Sequence, residues 1–272
     1  MWLCRRRRLA SSNVLRGLRA SGAEDSVRAL RSDRGGGRFL VEDSPPSGHA
    51  IADFSYPDRL PTFRKVANVT TSPQRYKLSF TSGGLLVREA DVVVAEYMRR
   101  RDWGAVQRVV VDQNLLQART RSSTVRVARE TIQRLRVLKE DELEILADAS
   151  LTERCHLLWA AACRRYDLIG EFAEEVVRER FLLMTPTVGT QEFDRFMSRK
   201  SLWHPELDDL KPSTRDELRK VIFLMLKRAG LRTEAGAIIP AVISERVHKM
   251  LAASEPSDLR FFPTTLTLEA TR

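Results

Sequence analysis

The sequence predicts an all-α protein, in which a compact domain of about eight helices (residues 73–272) follows a basic N-terminal extension (residues 1–72). Apolar residues recur at spacings of three and four through most of the longer segment, which is the period of a helix that buries one face. The strict alternation that is typical of half-buried strands is absent nearly everywhere. A hydrophobic content of 43% with 30% charged residues is typical of a globular chain with a sizeable core.

The first 72 residues hold 13 basic and 7 acidic residues, so much of the net charge of +10 lies there. Four consecutive arginines at 5–8, three glycines at 35–37 and few apolar residues predict a disordered segment. Four interpretations stay open: a mis-assigned translation start, with the true start near Val66 or Val69, an inert tail, a basic arm that helps to hold polyanions, and an organellar transit peptide.

Each predicted helix rests on a local signal. The first, 85–101, has Leu86, Ala90 and Tyr97 on one stripe, and the second, 102–116, begins at Asp102, a good N-cap. The fourth, 139–149, carries acids in its first turn, where the helix dipole favours them. Later apolar stripes predict a segment at 152–184 that is one long or two abutting helices, then a helix within 191–207 that ends in a turn at His204-Pro205, and helices at 214–230 and 244–253.

The third predicted helix, in the centre of the chain, is the strongest functional signal. It opens at Ser122 or Ser123 as N-cap and carries an apolar stripe that includes Ala128 and Ile132. Six arginines and a single acid, Glu130, lie between residues 119 and 136. Because the planar guanidinium donates two parallel hydrogen bonds to phosphate, this segment is a candidate DNA-binding site. The candidate residues are Arg119, Arg121, Ser122, Ser123, Arg126, Arg129 and Arg136.

Three further basic clusters are secondary DNA-binding candidates. They comprise Arg99, Arg100 and Arg101; Arg195, Arg199 and Lys200; and Lys211, Arg215, Arg219 and Lys220. For all of these clusters, simple solvation of a helix and, for the central one, protein–protein docking remain alternatives to nucleic-acid contact. Trp103, Trp159 and Trp203 are interpreted as packing residues and not as platforms for base stacking.

The sequence gives no indication of catalytic, metal or membrane chemistry. It contains no phosphate-binding glycine loop with its lysine, no nucleophile elbow and no His/Cys cluster with metal-ligand spacing. The longest apolar runs, 157–163 and 221–226, are much shorter than the roughly 18–20 residues of a membrane span. Cys155 and Cys163 are predicted to be buried free thiols. We therefore expect a non-enzymatic binding protein without cofactor, metal or membrane segment.

Several collinear segments resemble the BrxA family of the bacterial BREX phage-defence system. The resemblance spans about residues 74 to 264 without large gaps, although no single motif in it is diagnostic. Its parts are YKLSFTSGGLLVREA (76–90), DWGAVQRVVVDQNLLQARTRSSTVRVARETIQRL (102–135), LLWAAACRRYDLIGEFAEEVVRERF (157–181), FDRFMSRKSLWHPELDDLKPSTRDELRKVIFLMLKRAGL (193–231) and FFPT (261–264).

The resemblance implies a helical fold similar to that of the RNA-binding antitermination factor NusB, with double-stranded DNA as the ligand. It also implies that the protein is located in the bacterial cytoplasm. The partners that it implies are the other BREX proteins: a methyltransferase, an ATPase, a phosphatase-like protein and a Lon-like protease. A second hypothesis is an assembly adaptor that docks on these proteins, with DNA affinity incidental. A third, RNA binding, rests on the expected likeness of fold alone.

Overall fold

The computed structural model describes residues 74–81 and 83–265, and within these ranges the prediction of an all-α fold is confirmed. Helices dominate, and extended pairing among the described residues is limited to two isolated bridges, Thr187 with Ala237 and Arg232 with Ile238. None of the helices in these ranges is long and apolar enough to span a bilayer. The predictions made for residues 1–72 lie outside the described residues.

The described chain forms nine helical rods, against the eight or so expected. The predicted 152–184 segment is two abutting helices that meet at Tyr166, and the second runs on from α6 through a π-helical stretch, Ala173–Arg178, into α7. The helices are α1 Val87–Arg100, α2 Trp103–Asp112, α3 Arg121–Leu135, α4 Glu140–Asp148, α5 Leu151–Arg165, α6 Asp167–Phe172, α7 Glu179–Leu182, α8 Thr190–Ser201, α9 Pro212–Arg228 and α10 Glu245–Ala252.

Helix α5 lies at the centre of the domain because its sequence is apolar nearly all round. Helices α3, α4, α6, α9 and α10 all pack on it, and ten of its fifteen residues are buried. Trp159 is fully buried there, and its indole N–H donates to the carbonyl of Phe261 at 2.9 Å, so the polar atom of the ring is satisfied. Around it, α1, α2 and α3 pack on one another in pairs and form one side of the domain.

The two described cysteines agree with the prediction of buried free thiols. Cys155 and Cys163 are both buried and unpaired. Burial raises the pKa of both thiols, because the thiolate is disfavoured away from water. Both side chains therefore act as small apolar groups in the core of α5.

The N-cap of α3 is Thr120, so the prediction of Ser122 or Ser123 is wrong. Thr120 has an extended backbone, and its hydroxyl accepts from the Ser123 N–H at 3.2 Å. Helix α3 begins before Ser122 because the side chain of Asn114, a residue with a positive φ of 47°, holds the segment that connects α2 to α3. Its side-chain amide donates to the carbonyl of Ala118 and accepts from the N–H of Ala118, both at 3.1 Å. Helical geometry therefore begins at Arg121.

We expect Thr120→Ala to lower the free energy of unfolding by about 1 kcal/mol, because the N–H of Ser123 loses its cap. Ser122→Ala is the matched control, since within the described residues this exposed hydroxyl bonds only the Thr120 hydroxyl, at 3.1 Å, and accepts from no backbone N–H, so its loss should change stability by less than about 0.5 kcal/mol. Urea denaturation followed by far-UV circular dichroism measures both. Equal losses in the two variants would contradict the assignment of the cap.

Candidate nucleic-acid interface

One narrow strip of α3 faces solvent, and outside it only Arg121 at the first position of the helix is also exposed. The strip runs along one side of the helix, and its members are Ser122, Arg126, Arg129, Gln133 and Arg136, the last in the C-cap position. At 100° per residue these positions occupy an arc of about 80°, and at 1.5 Å per residue they extend over about 21 Å. The opposite side of α3, which includes Ala128, Ile132 and Leu135, is buried, so the predicted division into an apolar and a cationic face is observed.

The arginines of the strip lack acidic partners. Arg126, Arg129 and Arg136 are exposed, as is Arg119 in the segment that leads into α3, and none of them forms an ion pair with another residue in 74–81 or 83–265. Arg121 differs, because its guanidinium lies 2.9 Å from Asp112 at the end of α2. Four cations are thus grouped on one surface without compensating charge.

The cluster at the end of α1 is neutralised within the fold. Arg99 and Arg100 both bind the carboxylate of Glu96, at 2.7 and 3.1 Å. Arg101 forms ion pairs with Glu140 and Glu144 of α4, the latter at 3.4 Å. The packing of α1 against α4 explains the pairing with Arg101, because the acidic first turn of α4 lies beside the basic last turn of α1.

The cluster on α8 is compensated in a similar way. Lys200 lies 2.6 Å from Glu171 and 2.5 Å from Glu175, and Arg199 lies 3.8 Å from Glu175. Although partial burial works against the charged form, the hydrogen bonds that the Lys200 ammonium donates to these two carboxylates keep its pKa above the ordinary value. Arg195 is exposed and forms no ion pair with a described residue.

The cluster around the start of α9 is divided. Arg219 pairs with Asp216 at 2.9 Å, and the half-buried Arg215 donates to the carbonyl of Leu207 at 3.3 Å. Lys211, in the N-cap position of α9, and Lys220 are exposed and have no acidic partner among the described residues. These two lysines stand on different turns, so this cluster offers single cations and no continuous strip.

One arginine of the central segment is structural. Arg134 is 3% exposed and lies 2.6 Å from Glu130, whose side chain is 7% exposed. A second nitrogen of the guanidinium donates to the carbonyl of Gly84 at 2.7 Å, and the hydroxyl of Tyr166 donates to Glu130 at 2.7 Å. Of the six arginines counted in this segment, Arg134 therefore belongs to a buried ion pair and is not a surface cation. This pair fixes how α3 is rotated about its own axis, and so which residues form the strip.

Sequence reasoning missed Arg165, which extends the strip onto α5. Its guanidinium donates to the side-chain carbonyl of Gln133 at 3.0 Å and lies 5.4 Å from the centre of the Tyr166 ring. The sequence contains Arg164 and Arg165 as adjacent basic residues at a helix end, and only the packing separates their roles. Arg164 turns inward and binds Glu142 at 2.5 Å, whereas Arg165 stays at the surface.

The interpretation of the tryptophans as packing residues is wrong for Trp203, whose exposed fraction is 72%. It is right for Trp159, which is fully buried, and for Trp103, whose ring stacks on Tyr97 with centroids 3.9 Å apart. Trp203 lies in the turn between α8 and the 3-10 turn Pro205–Leu207, and Leu207 occupies the buried position there instead.

The profile of one known family, BrxA, matches residues 74–255, which is more than half of the chain. The chain belongs to the BrxA family. It is 21% identical over 161 residues to the BREX protein BrxA of Paramagnetospirillum magneticum (strain ATCC 700264 / AMB-1), a match that covers 59% of this chain and 81% of that protein. The chain is therefore a BrxA-family component of the BREX phage-defence system.

A solved structure shares the fold of this BrxA-family chain. It is the crystal structure of an uncharacterized protein from Magnetospirillum magneticum, with a TM-score of 0.61 and 21% sequence identity. The similarity covers 70% of this chain and 100% of that one.

We expect Arg134→Ala to destabilise the protein by about 3–5 kcal/mol, because it leaves the buried carboxylate of Glu130 without its countercharge. Arg129→Ala removes an exposed arginine from the same helix and should cost less than about 0.5 kcal/mol. Chemical denaturation of the two variants checks this. Similar losses would show that Arg134 does not anchor α3.

A dependence of stability on pH follows from Tyr166. Burial, together with its hydrogen bond to Glu130, raises the pKa of Tyr166 from 10.0 to about 12. The folded state therefore favours the protonated phenol, and this contribution is complete below about pH 10 and disappears as the pH rises towards 12. We expect the stability advantage of the wild type over Tyr166→Phe to be constant from pH 7 to 9.5 and to shrink above pH 10. Denaturation at several pH values measures this difference, and a constant difference up to pH 11.5 would contradict the assignment.

Proposed function

We propose that this BrxA-family protein binds duplex DNA through the sugar–phosphate backbone, using the strip on α3. The observation that supports the proposal is the group of surface arginines without acidic partners in the described chain: Arg119, Arg126, Arg129, Arg136 and Arg165. In the three other basic clusters, many of the cations form ion pairs within the fold. A protein that neutralises phosphates needs cations that are not already neutralised.

The spacing of the strip suits a row of phosphates. Arg126 and Arg129 are separated by about 4.5 Å along the helix axis, and Arg136 lies about 10 Å further on. A single DNA strand carries one charge about every 3.4 Å along the duplex. Side chains of this length can therefore reach several neighbouring phosphates at once, and each guanidinium can make two charge-assisted hydrogen bonds. The exposed hydroxyl of Ser122 can add a neutral contact at the start of the strip.

The burial of α3 favours contact with the backbone over reading of bases. A helix of about 10–12 Å diameter fills the major groove of about 12 Å width, so a helix that reads bases presents a broad exposed face to the DNA. Helix α3 packs on α1, α2 and α5, and beyond its first position its exposed residues lie within an arc of about 80°. We therefore expect modest sequence preference, since phosphate contacts carry no direct sequence information.

We expect the double variant Arg126→Ala/Arg129→Ala to bind all duplexes more weakly, by at least about tenfold at ~0.1 M salt. The slope of log affinity against log salt should fall in magnitude by about 2, because two fewer phosphates are neutralised. Fluorescence anisotropy with two labelled duplexes of unrelated sequence, at four salt concentrations, measures both quantities.

The matched control is Arg99→Ala/Arg100→Ala, which removes the same charge from arginines that bind Glu96. It should leave both the affinity and the salt slope nearly unchanged. Both pairs are compared in the full chain and in a chain beginning at Pro73, because residues 1–72 carry six net positive charges. Equal weakening by both variants, or binding that is lost on truncation alone, would exclude the strip. In that case the adaptor hypothesis would be favoured, and co-purification of another BREX protein after nuclease treatment would test it.

A further inference from the structure

A groove lies between α8 and the rod that runs from α6 through the π-helical stretch to α7. It has a volume of about 380 Å³, and its floor includes the apolar side chains of Val176 and Phe196. The π-helical stretch, Ala173–Arg178, forms part of one wall. Such departures from α-helical geometry recur at functional sites. The α3 strip shares no residue with this groove.

The middle of the groove carries one uncompensated charge of each sign. Glu179 on the α7 rim and Arg195 on the α8 rim are both exposed, and neither forms an ion pair with a described residue. At the two ends the opposing rims are already bridged, by Arg180 and Glu192 and by Arg199 and Glu175, each at 3.8 Å. A partner that neutralises both of these charges must therefore present a cation to Glu179 on the α7 rim and an anion to Arg195 on the α8 rim.

The helices that border the groove also end in exposed apolar residues. Five of the nine large hydrophobic side chains that are exposed within the described residues lie at these two ends. Leu182 is the last residue of α7, Leu183 and Met184 follow it, and Leu202 and Trp203 follow α8, with exposed fractions between 45% and 84%. Exposed apolar residues that are concentrated in this way around a groove are typical of interaction surfaces, and tryptophan is frequent at the centres of such surfaces.

We propose that the groove is the interface of a two-fold symmetric dimer of this chain. A two-fold axis along the groove places the α7 rim of one copy on the α8 rim of the other at the same level. Glu179 of each copy then lies opposite Arg195 of the other, so both uncompensated charges are paired twice in one closed assembly. No other protein is needed to supply the complementary pattern, because the surface is complementary to itself.

The size of the groove face predicts a weak dimer. Two helices side by side, about 20 Å across and about 18 Å long over α8, form a face of about 360 Å² per copy, which is less than half of the roughly 800 Å² per partner that a standard stable interface buries. The exposed apolar residues at both ends enlarge this face. The paired charges determine how the two copies align more than how tightly they bind. We therefore expect a monomer–dimer equilibrium at micromolar concentrations, and not an obligate dimer.

Sedimentation velocity of the full chain from 1 to 200 μM, after nuclease treatment and without added DNA, tests the dimer. The variants Glu179→Arg and Arg195→Glu should each raise the dimer dissociation constant at least about tenfold, because like charges then face each other. An equimolar mixture of the two should associate as the wild type does, since the mixed dimer restores both ion pairs. The double variant Glu179→Arg/Arg195→Glu should dimerise alone for the same reason.

The controls are Glu217→Arg and Lys220→Glu, charge reversals at exposed residues of α9 that have no ion pair in the described part of the chain. They should leave the equilibrium unchanged. A wild type that is monomeric at 200 μM, or single variants that are not rescued on mixing, would overturn the proposal. Because no nucleic acid is present, this outcome is independent of whether the α3 strip binds DNA.

Discussion

The buried ion pair between Glu130 and Arg134 is the contact on which the surface of α3 depends. A charged pair away from water is tolerated when further hydrogen bonds support it, and here the Tyr166 hydroxyl donates to Glu130 and Arg134 donates to the carbonyl of Gly84, which leaves one guanidinium nitrogen of Arg134 without a partner in the described chain. The ion pair and these two partners come from three separate parts of the chain. The pair therefore holds α3 at one rotation about its axis, and this rotation decides that the neighbouring arginines point to solvent.

The arginines of this protein differ more clearly in whether an acidic side chain neutralises them than in how exposed they are. Arg164 is drawn inward by Glu142 and Asp258, and although burial lowers the pKa of its guanidinium, the hydrogen bonds to these two acids raise it above its ordinary value. Arg99 and Arg100 remain at the surface but bind Glu96. What distinguishes the α3 strip is the lack of carboxylates beside it in the described chain. Its cations retain the full electrostatic attraction for an external polyanion.

The two proposed surfaces use different helices and different physical effects. The α3 strip relies on uncompensated charge of one sign, whereas the groove beside α8 combines one charge of each sign with exposed apolar residues. A dimer formed through the groove would carry two strips. If both strips reach one duplex, the second binds at the high effective concentration set by the first, so weak phosphate contacts gain affinity without base recognition. A role of this kind would suit a BrxA-family component of a larger defence system.

The sequence by itself determined the fold class, the approximate position of most helices and the amphipathic character of α3. These features follow from local periodicity, which depends on neighbours three and four residues apart. Only the tertiary structure decided the cap at Thr120, the burial of Arg134, the exposure of Trp203 and the addition of Arg165 to the strip. Each of these depends on a partner that is remote in the chain or on a clamp in an irregular segment. Periodicity carries no information about which helix packs beside which, and therefore none about which charges are neutralised.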